Sequence, residues 1–324
     1  MIITQTPFRI SFIGGGTDFP EFYRRHGGSV ISTSINKYAY VLTHPSSPCF
    51  DYKFKASYAQ IETVQSLNEF QHPIVRETLK FMKIKNGIEV NHVSDFPGRT
   101  GLGTSSSFTV GLLNALHLLA GKQLPARDLA EQAIHVERKM VGDPGGHQDQ
   151  YAVALGGFNR IDFSRESVKI KKIAAPAKRL RELHSHLMLF FLGLERFSGN
   201  ILSEQQNKGA KNEPGLLRMI ELVDEAESLL CSRRDMKCFG EIMNEAWSLK
   251  KTFASGISNN DIDSIYSEAR SAGAWGGKLL GAGGAGFMML VAAPKDHKKI
   301  EKRLSRLLKV PFDFENKGCK AVIV

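Results

Sequence analysis

Residues 97–107 read Pro97-Gly98-Arg99-Thr100-Gly101-Leu102-Gly103-Thr104-Ser105-Ser106-Ser107 and run straight into an apolar-periodic helix at 108–120. This stretch restricts the fold most, because the chain must turn tightly here and then deliver a helix N-terminus. Gly101 and Gly103 let the backbone approach an anion closely. Thr104 to Ser107 can cap the helix, where free N–H groups and the positive dipole end favour negative charge. The same hydroxyls can reach a nucleotide-bound magnesium. Taken alone, the loop also fits ordinary cap chemistry, so the rest of the chain has to decide.

At 324 residues the chain is long for one core, and two domains are expected, 1–165 and 166–324. Its 42% hydrophobic and 23% charged residues are those of an ordinary globular protein. It has no run of ~18 apolar residues and no basic-then-apolar start, so no membrane partner and a cytoplasmic location are expected. Cys49, Cys231, Cys238 and Cys319 form no CxxC pair and suggest reduced, partly buried thiols. The net charge of +10 raises the question of nucleic acid. The excess is spread over short runs without interleaved aromatics, and the run 298–306 shares its helix with Ile300, Leu304, Leu307 and Leu308. A solvated face is the expected reading, and no nucleic-acid partner is expected.

Strands are predicted at 2–13, 29–43, 87–93, 187–194, 287–293 and 320–324. Helices are predicted at 73–81, 106–120, 126–140, 215–230, 236–253, 260–272 and 297–308. The order is mixed α+β in two lobes, with glycine-rich junctions where a cleft can form. Two motifs fail on context. Gly281 to Gly286 matches GxGxxG but leads into an apolar run ended by Pro294, a strand rather than the helix a dinucleotide fingerprint must open. Gly277-Lys278 lacks the serine or threonine and the first glycine of a Walker A loop.

Glu137 lies near the end of the 126–140 helix, and Asp149 follows the turn Gly142-Asp143-Pro144-Gly145-Gly146. Proline and glycine break the helix between them, so only the fold can bring the two carboxylates together. Glu137 also fits a surface residue paired with Arg138 or Lys139. Asp149 opens a helical segment whose dipole favours a carboxylate, a useful state for accepting a proton. Near the start, Pro7-Phe8-Arg9 precedes Gly14-Gly15-Gly16-Thr17-Asp18, a cation beside a tight turn with a carboxylate that can grip vicinal hydroxyls.

Taken together, these segments resemble the GHMP small-molecule kinase superfamily at all three of its motifs, in order. Pro7-x-Arg9 with residues 14–18 resembles motif one, and residues 97–106 resemble the phosphate loop, with Thr104 in place of the commoner serine. Gly276 to Gly286 resembles motif three, while Glu137 and Gly145-Gly146-His147-Gln148-Asp149-Gln150 match the magnesium-ligand and catalytic-aspartate segments. Gly15 and Gly16 replace the Glu-His pair of galactokinases. This corner, with residues 72–77 and 196–202, resembles the branch of D-glycero-D-manno-heptose 7-phosphate kinases and fucokinase-type enzymes.

The resemblance implies a ribosomal-S5-like N-terminal lobe and a ferredoxin-like C-terminal lobe. It implies ATP over Gly101, Leu102, Gly103, Thr104, Ser105, Ser106 and Ser107, and Mg²⁺ on Ser105 and Glu137. Asp149 and Arg9 would be catalytic, and Thr17, Gly16, Asp18, Gly146, Arg196 and Gly283 would bind substrate. Arg196 and Lys208 are the candidate receptors for a substrate phosphate. The implied reaction is phosphorylation of the anomeric hydroxyl of a mannoheptose 7-phosphate, in nucleotide-activated heptose biosynthesis. A fucokinase-type kinase of an unphosphorylated sugar, or a nucleotide-binding pseudokinase sensor, are the alternatives. The presence of both Glu137 and Asp149 argues for catalysis.

Overall fold

The computed structural model describes residues 1–193 and 198–322. Its larger sheet is built on two long antiparallel strands, β1 (Ile2–Ile13) and β2 (Gly28–Pro45). They are extended by β3 (Phe54–Ser57), β4 (Ile61–Val64), β5 (Ile88–Ser94), β6 (Phe158–Phe163) and β7 (Val168–Lys172). The smaller sheet contains β8 (Leu187–Gly193), β9 (Ala274–Leu279), β10 (Gly286–Ala292) and β11 (Leu308–Lys309), in the order β11-β8-β10-β9. The chain then returns to the larger sheet through β12 (Phe314–Glu315) and β13 (Lys320–Val322). The first sheet thus crosses the expected division at 165/166 twice, at β7 and at the C-terminus.

The helices are α1 (Pro20–His26), α2 (Pro73–Phe81), α3 (Thr104–Leu119), α4 (Ala126–Ile134) and α5 (Gln148–Leu155) in the first half. In the second half they are α6 (Ala177–Ser185), α7 (Ser198–Asn207), α8 (Gly209–Leu230), α9 (Met236–Phe253), α10 (Asn260–Ser271) and α11 (His297–Arg303). Helix α3 is apolar almost all round and is buried from Ser106 to Leu116, as a helix laid against β1 and β2 must be. In β10, every residue from Phe287 to Ala292 is fully buried, which explains its unbroken apolar run. Phe12 meets Phe239 edge-on at 5.9 Å, and Phe96 lies 5.0 Å from Phe287, so aromatic contacts join the two sheets' layers.

Three expected elements differ. The 126–140 helix is α-helical only to Ile134; His135–Val141 is a π-helical turn. The 215–230 helix begins earlier and runs through Pro214. The 297–308 helix stops at Arg303, and Leu308 joins β11 with 65% exposure. The basic run still lies outside, with Arg303 and Arg306 paired to Glu268 at 3.3 and 2.8 Å. All four cysteines are free thiols, and Cys49 and Cys231 are exposed rather than partly buried. Among the described residues no helix is long and apolar enough to cross a membrane.

Candidate active site

A cavity of about 440 Å³ opens where the two sheets' loops meet, within the size range of small-molecule sites. Its walls come from β1 and the turn after it, residues 15–19, the 99–106 loop, residues 137–149, Leu202 and Gln205 of α7, and the 250–282 region.

The phosphate loop is placed by β1. The Arg9 backbone N–H donates to Leu102 O at 3.0 Å, and the Arg9 Nη1 donates to Gly101 O at 2.7 Å. Gly103, at φ 73°, is the N-cap of α3, and no side chain caps the helix. Thr104 to Ser107 therefore do not play the capping part expected of them. Their first-turn N–H groups face the cavity end without a side-chain cap, as anion binding requires. Thr104, exposed Ser105 and buried Ser106 line the cavity. Leu102 and Ser107 do not: Leu102 is fully buried, and the Ser107 hydroxyl donates to Pro7 O at 2.9 Å. The loop is closed from the other lobe by residues 280–285. A Cβ on Gly281 would lie 2.3 Å from the Gly101 Cα, so the two backbones touch at a point only glycine permits. The loop is thus where the sequence placed it, with β10 extended behind, although its first residues, Gly276 to Leu279, belong to β9.

Arg9 and Asp149 meet in a two-pronged ion pair, Nε to Oδ1 at 2.8 Å and Nη2 to Oδ2 at 2.7 Å. The guanidinium is buried, while the Asp149 side chain keeps 23% exposure toward the cavity. Asp149 stands in the first turn of α5, and both oxygens are held by a fork that matches carboxylate geometry.

Asp18 is 2% exposed; its carboxylate accepts from the N–H groups of Gly16 at 3.0 Å and Gln148 at 3.1 Å. Burial first, and then the nearby Asp149 charge, push its carboxyl above the usual range. Gly16 and Gly146 line the cavity beside it. Thr17 does not: its hydroxyl donates to Gly14 O and Ser29 O, and it holds the turn from inside. Gly283 also faces away, packed on Ile257. Arg196 lies outside the described residues. Lys208 is paired with Glu204 at 2.5 Å. His147, two residues before Asp149, is turned toward the Tyr23 hydroxyl at 3.1 Å, and burial lowers its imidazole to about 4.

Glu137 is no surface residue. The π turn carries it inward to 1% exposure, where Oε2 accepts from Ser106 Oγ at 3.0 Å and from Gln150 Nε2 at 2.8 Å. Arg138 lies 3.7 Å away and spends its guanidinium on Gly146 O. The hydroxyl bonded to Glu137 is that of Ser106, not Ser105. Burial raises the Glu137 carboxyl above the usual range, and its Oε1 is buried without a hydrogen-bond partner.

Comparison with known proteins gives the family. The profile of the GHMP kinases N terminal domain matches residues 71–157, and that of the GHMP kinases C terminal region matches residues 219–310. The chain belongs to the GHMP kinase family. It is 28% identical to the D-glycero-alpha-D-manno-heptose 7-phosphate kinase of Campylobacter jejuni over 99% of this chain and 98% of that one. It is 23% identical to the bifunctional fucokinase/GDP-fucose pyrophosphorylase of Arabidopsis thaliana, over 94% of this chain and 31% of that one. Among solved structures, a D-glycero-D-manno-heptose 1-phosphate kinase from Bacteroides thetaiotaomicron superposes with TM-score 0.80 at 23% identity, covering 100% of this chain and 99% of that chain. The fold is accordingly the two-domain GHMP kinase fold, and the chain is a kinase of that family.

Sequence reasoning missed several residues lining the kinase's cavity, among them Ser11, Gln148, Gln205, Lys250 and Lys278. A lysine inside the otherwise apolar β9 and a serine two residues after Arg9 on β1 were the available signals. The Asp18 corner makes one further expectation testable. A Cβ on residue 146 would sit 1.9 Å from the Asp18 Oδ2, so Gly146→Ala must displace that carboxylate. The KM for the acceptor should rise about 10-fold or more while that for ATP holds. Steady-state kinetics with each substrate varied in turn decides; an unchanged acceptor KM would remove Asp18 from the substrate.

Proposed function

We propose that this kinase transfers the γ-phosphoryl group of ATP to the anomeric hydroxyl of D-glycero-D-manno-heptose 7-phosphate, giving the 1,7-bisphosphate and ADP in the making of nucleotide-activated heptose. The observation that carries the chemistry is the Arg9–Asp149 fork, set between the α3 N-terminus and Asp18 in one cavity. The near full-length similarity to the Campylobacter heptose 7-phosphate kinase supports the choice of sugar. ATP phosphates lie along the 101–106 backbone, and Asp18 accepts hydrogen bonds from substrate hydroxyls. The anomeric oxygen attacks the γ-phosphorus, the bond to the β-phosphate oxygen breaks, and the hydroxyl proton passes to an Asp149 oxygen. Arg9 holds Asp149 in place and offsets charge developing on the transferred group. Positioning and electrostatics supply most of the acceleration in such a transfer.

The donor set suits Mg²⁺. Among the described residues no cluster of three acidic, histidine or cysteine side chains could cage a metal. The unpartnered Glu137 Oε1 and the neighbouring serine hydroxyls leave the remaining positions to phosphate and water, as magnesium prefers. Glu137 with Ser105 or Ser106 would hold the ion, which when bound neutralises charge on the β- and γ-phosphates. Glu137→Gln should therefore raise the half-saturating Mg²⁺ concentration. It should also alter stability in a defined way. With its carboxyl raised by burial, metal-free folded protein keeps a proton on Glu137 that the unfolded chain loses near 4.5. Stability from this group is complete below that pH and is lost as pH rises through the folded value. Without metal, the Tm of the glutamine variant should gain on wild type as pH rises from about 5 to 8. Thermal melts and a Mg²⁺ titration test this; an unchanged half-saturation point with parallel melts rejects the metal role.

The test of the substrate is kcat/KM for mannoheptose 7-phosphate, unphosphorylated mannoheptose and L-fucose at one ATP concentration. The fucokinase-type reading, favoured by the Arabidopsis similarity, requires L-fucose to lead.

A further inference from the structure

Lys278 is not used in the transfer described above, yet it faces the reacting groups. It lies in β9 at 4% exposure and lines the cavity. Its Nζ donates to Ser11 O at 3.0 Å, and among the described residues no carboxylate forms an ion pair with it. An ammonium carries three donors, and a buried charge is costly unless they are used. Ser11 lines the same cavity, and its Oγ is buried without a hydrogen-bond partner. It stands two residues after Arg9, on the same face of β1, and before the turn that carries Asp18. A buried amine and an unpaired hydroxyl thus meet on the cavity wall, beside the Arg9–Asp149 pair.

Resting on the acceptor reading above, we propose that Lys278 and Ser11 form a subsite for an oxygen of the acceptor sugar, a hydroxyl or the ring oxygen, with Lys278 donating to it. A phosphate fits this place less well. The charged groups facing Lys278 are Lys250, Arg9, Asp18 and Asp149. Arg9 is already taken by Asp149, while the two carboxylates repel a dianion. A sugar oxygen needs only the one or two hydrogen bonds on offer. Burial, and then the Lys250 and Arg9 cations, lower the Lys278 amine well below the usual lysine range; charged or neutral, it keeps an N–H to donate to a neutral oxygen.

The competing role is structural, since the bond from Lys278 to Ser11 O ties β9 to β1. Ser11→Ala separates the two, because the Ser11 hydroxyl has no protein partner to lose. The experiment titrates the panel sugar with the highest wild-type kcat/KM into nucleotide-free wild type, Ser11→Ala, Lys278→Arg and Lys278→Met, with a non-hydrolysable ATP analogue titrated separately. Failure of the heptose assignment then shows in the wild-type ranking, and failure of the subsite only in the variants. Ser11→Ala should keep its Tm and weaken acceptor binding about 5–10-fold. Lys278→Met should weaken it about 10–100-fold, Lys278→Arg should recover part of the loss, and analogue binding should hold within about twofold. The factors should be equal for phosphorylated and unphosphorylated forms of the sugar. Unchanged acceptor binding in Ser11→Ala overturns the subsite, as does a loss confined to the phosphorylated form. If Lys278→Met does not fold, the Ser11→Ala and Lys278→Arg titrations still decide.

Discussion

Replacing Asp149 by asparagine is expected to lower kcat by about 10²-fold or more, with ATP binding nearly intact. Size is kept, proton acceptance is lost, and one amide NH₂ now opposes the Arg9 guanidinium that both carboxylate oxygens engage. Arg9→Lys should also be slow, because an ammonium cannot reproduce the fork and the contact from Nη1 to Gly101 O is lost with it. If the pair acts as a unit, the double variant will be about as slow as the slower single one rather than the product of the two. Pre-steady-state turnover with saturating ATP measures this. Wild-type turnover in Asp149→Asn would remove the catalytic assignment. His147 could not take over the proton from its place against Tyr23.

Removing the substrate phosphate should lower kcat/KM by roughly 10²–10⁴-fold, equivalent to about 3–6 kcal/mol of remote binding energy from charge-assisted contacts. The preference should weaken with added salt, and less steeply where the pocket closes over the ligand. Arg9 and Arg138 line the cavity but are committed to Asp149 and to Gly146 O, and Lys208 to Glu204. We propose Arg196, one of the two candidates read from the sequence, as the receptor, and Arg196→Ala should remove most of the preference while leaving the unphosphorylated sugar unaffected. A clear advantage for unphosphorylated heptose or L-fucose would sink the heptose-phosphate assignment and leave the kinase class standing.

The phosphate loop was readable because its geometry is local. Glycine at 101 and 103 permits the positive φ angles of 80° and 73°, and the apolar helix must start where they end. The long strand β1 and the rejection of a dinucleotide site at 281–286 rest on the same short-range patterns of dihedral preference and burial, while the order of the three motifs was read by resemblance. Tertiary structure alone decided which of the neighbouring polar residues face the cavity. The π turn swings Glu137 into the core against Ser106, whereas its place on a helix read from sequence left a surface position and an inward one both open. Thr17 turns inward to hold its own loop. Lys278 reaches Ser11 across 267 residues of chain, and Arg9 reaches Asp149 across 140. Sequence neighbours set local backbone geometry and periodicity. The choice among adjacent hydroxyls and charges depends on packing between segments from tens to hundreds of residues apart, for which one chain's sequence carries no local signal.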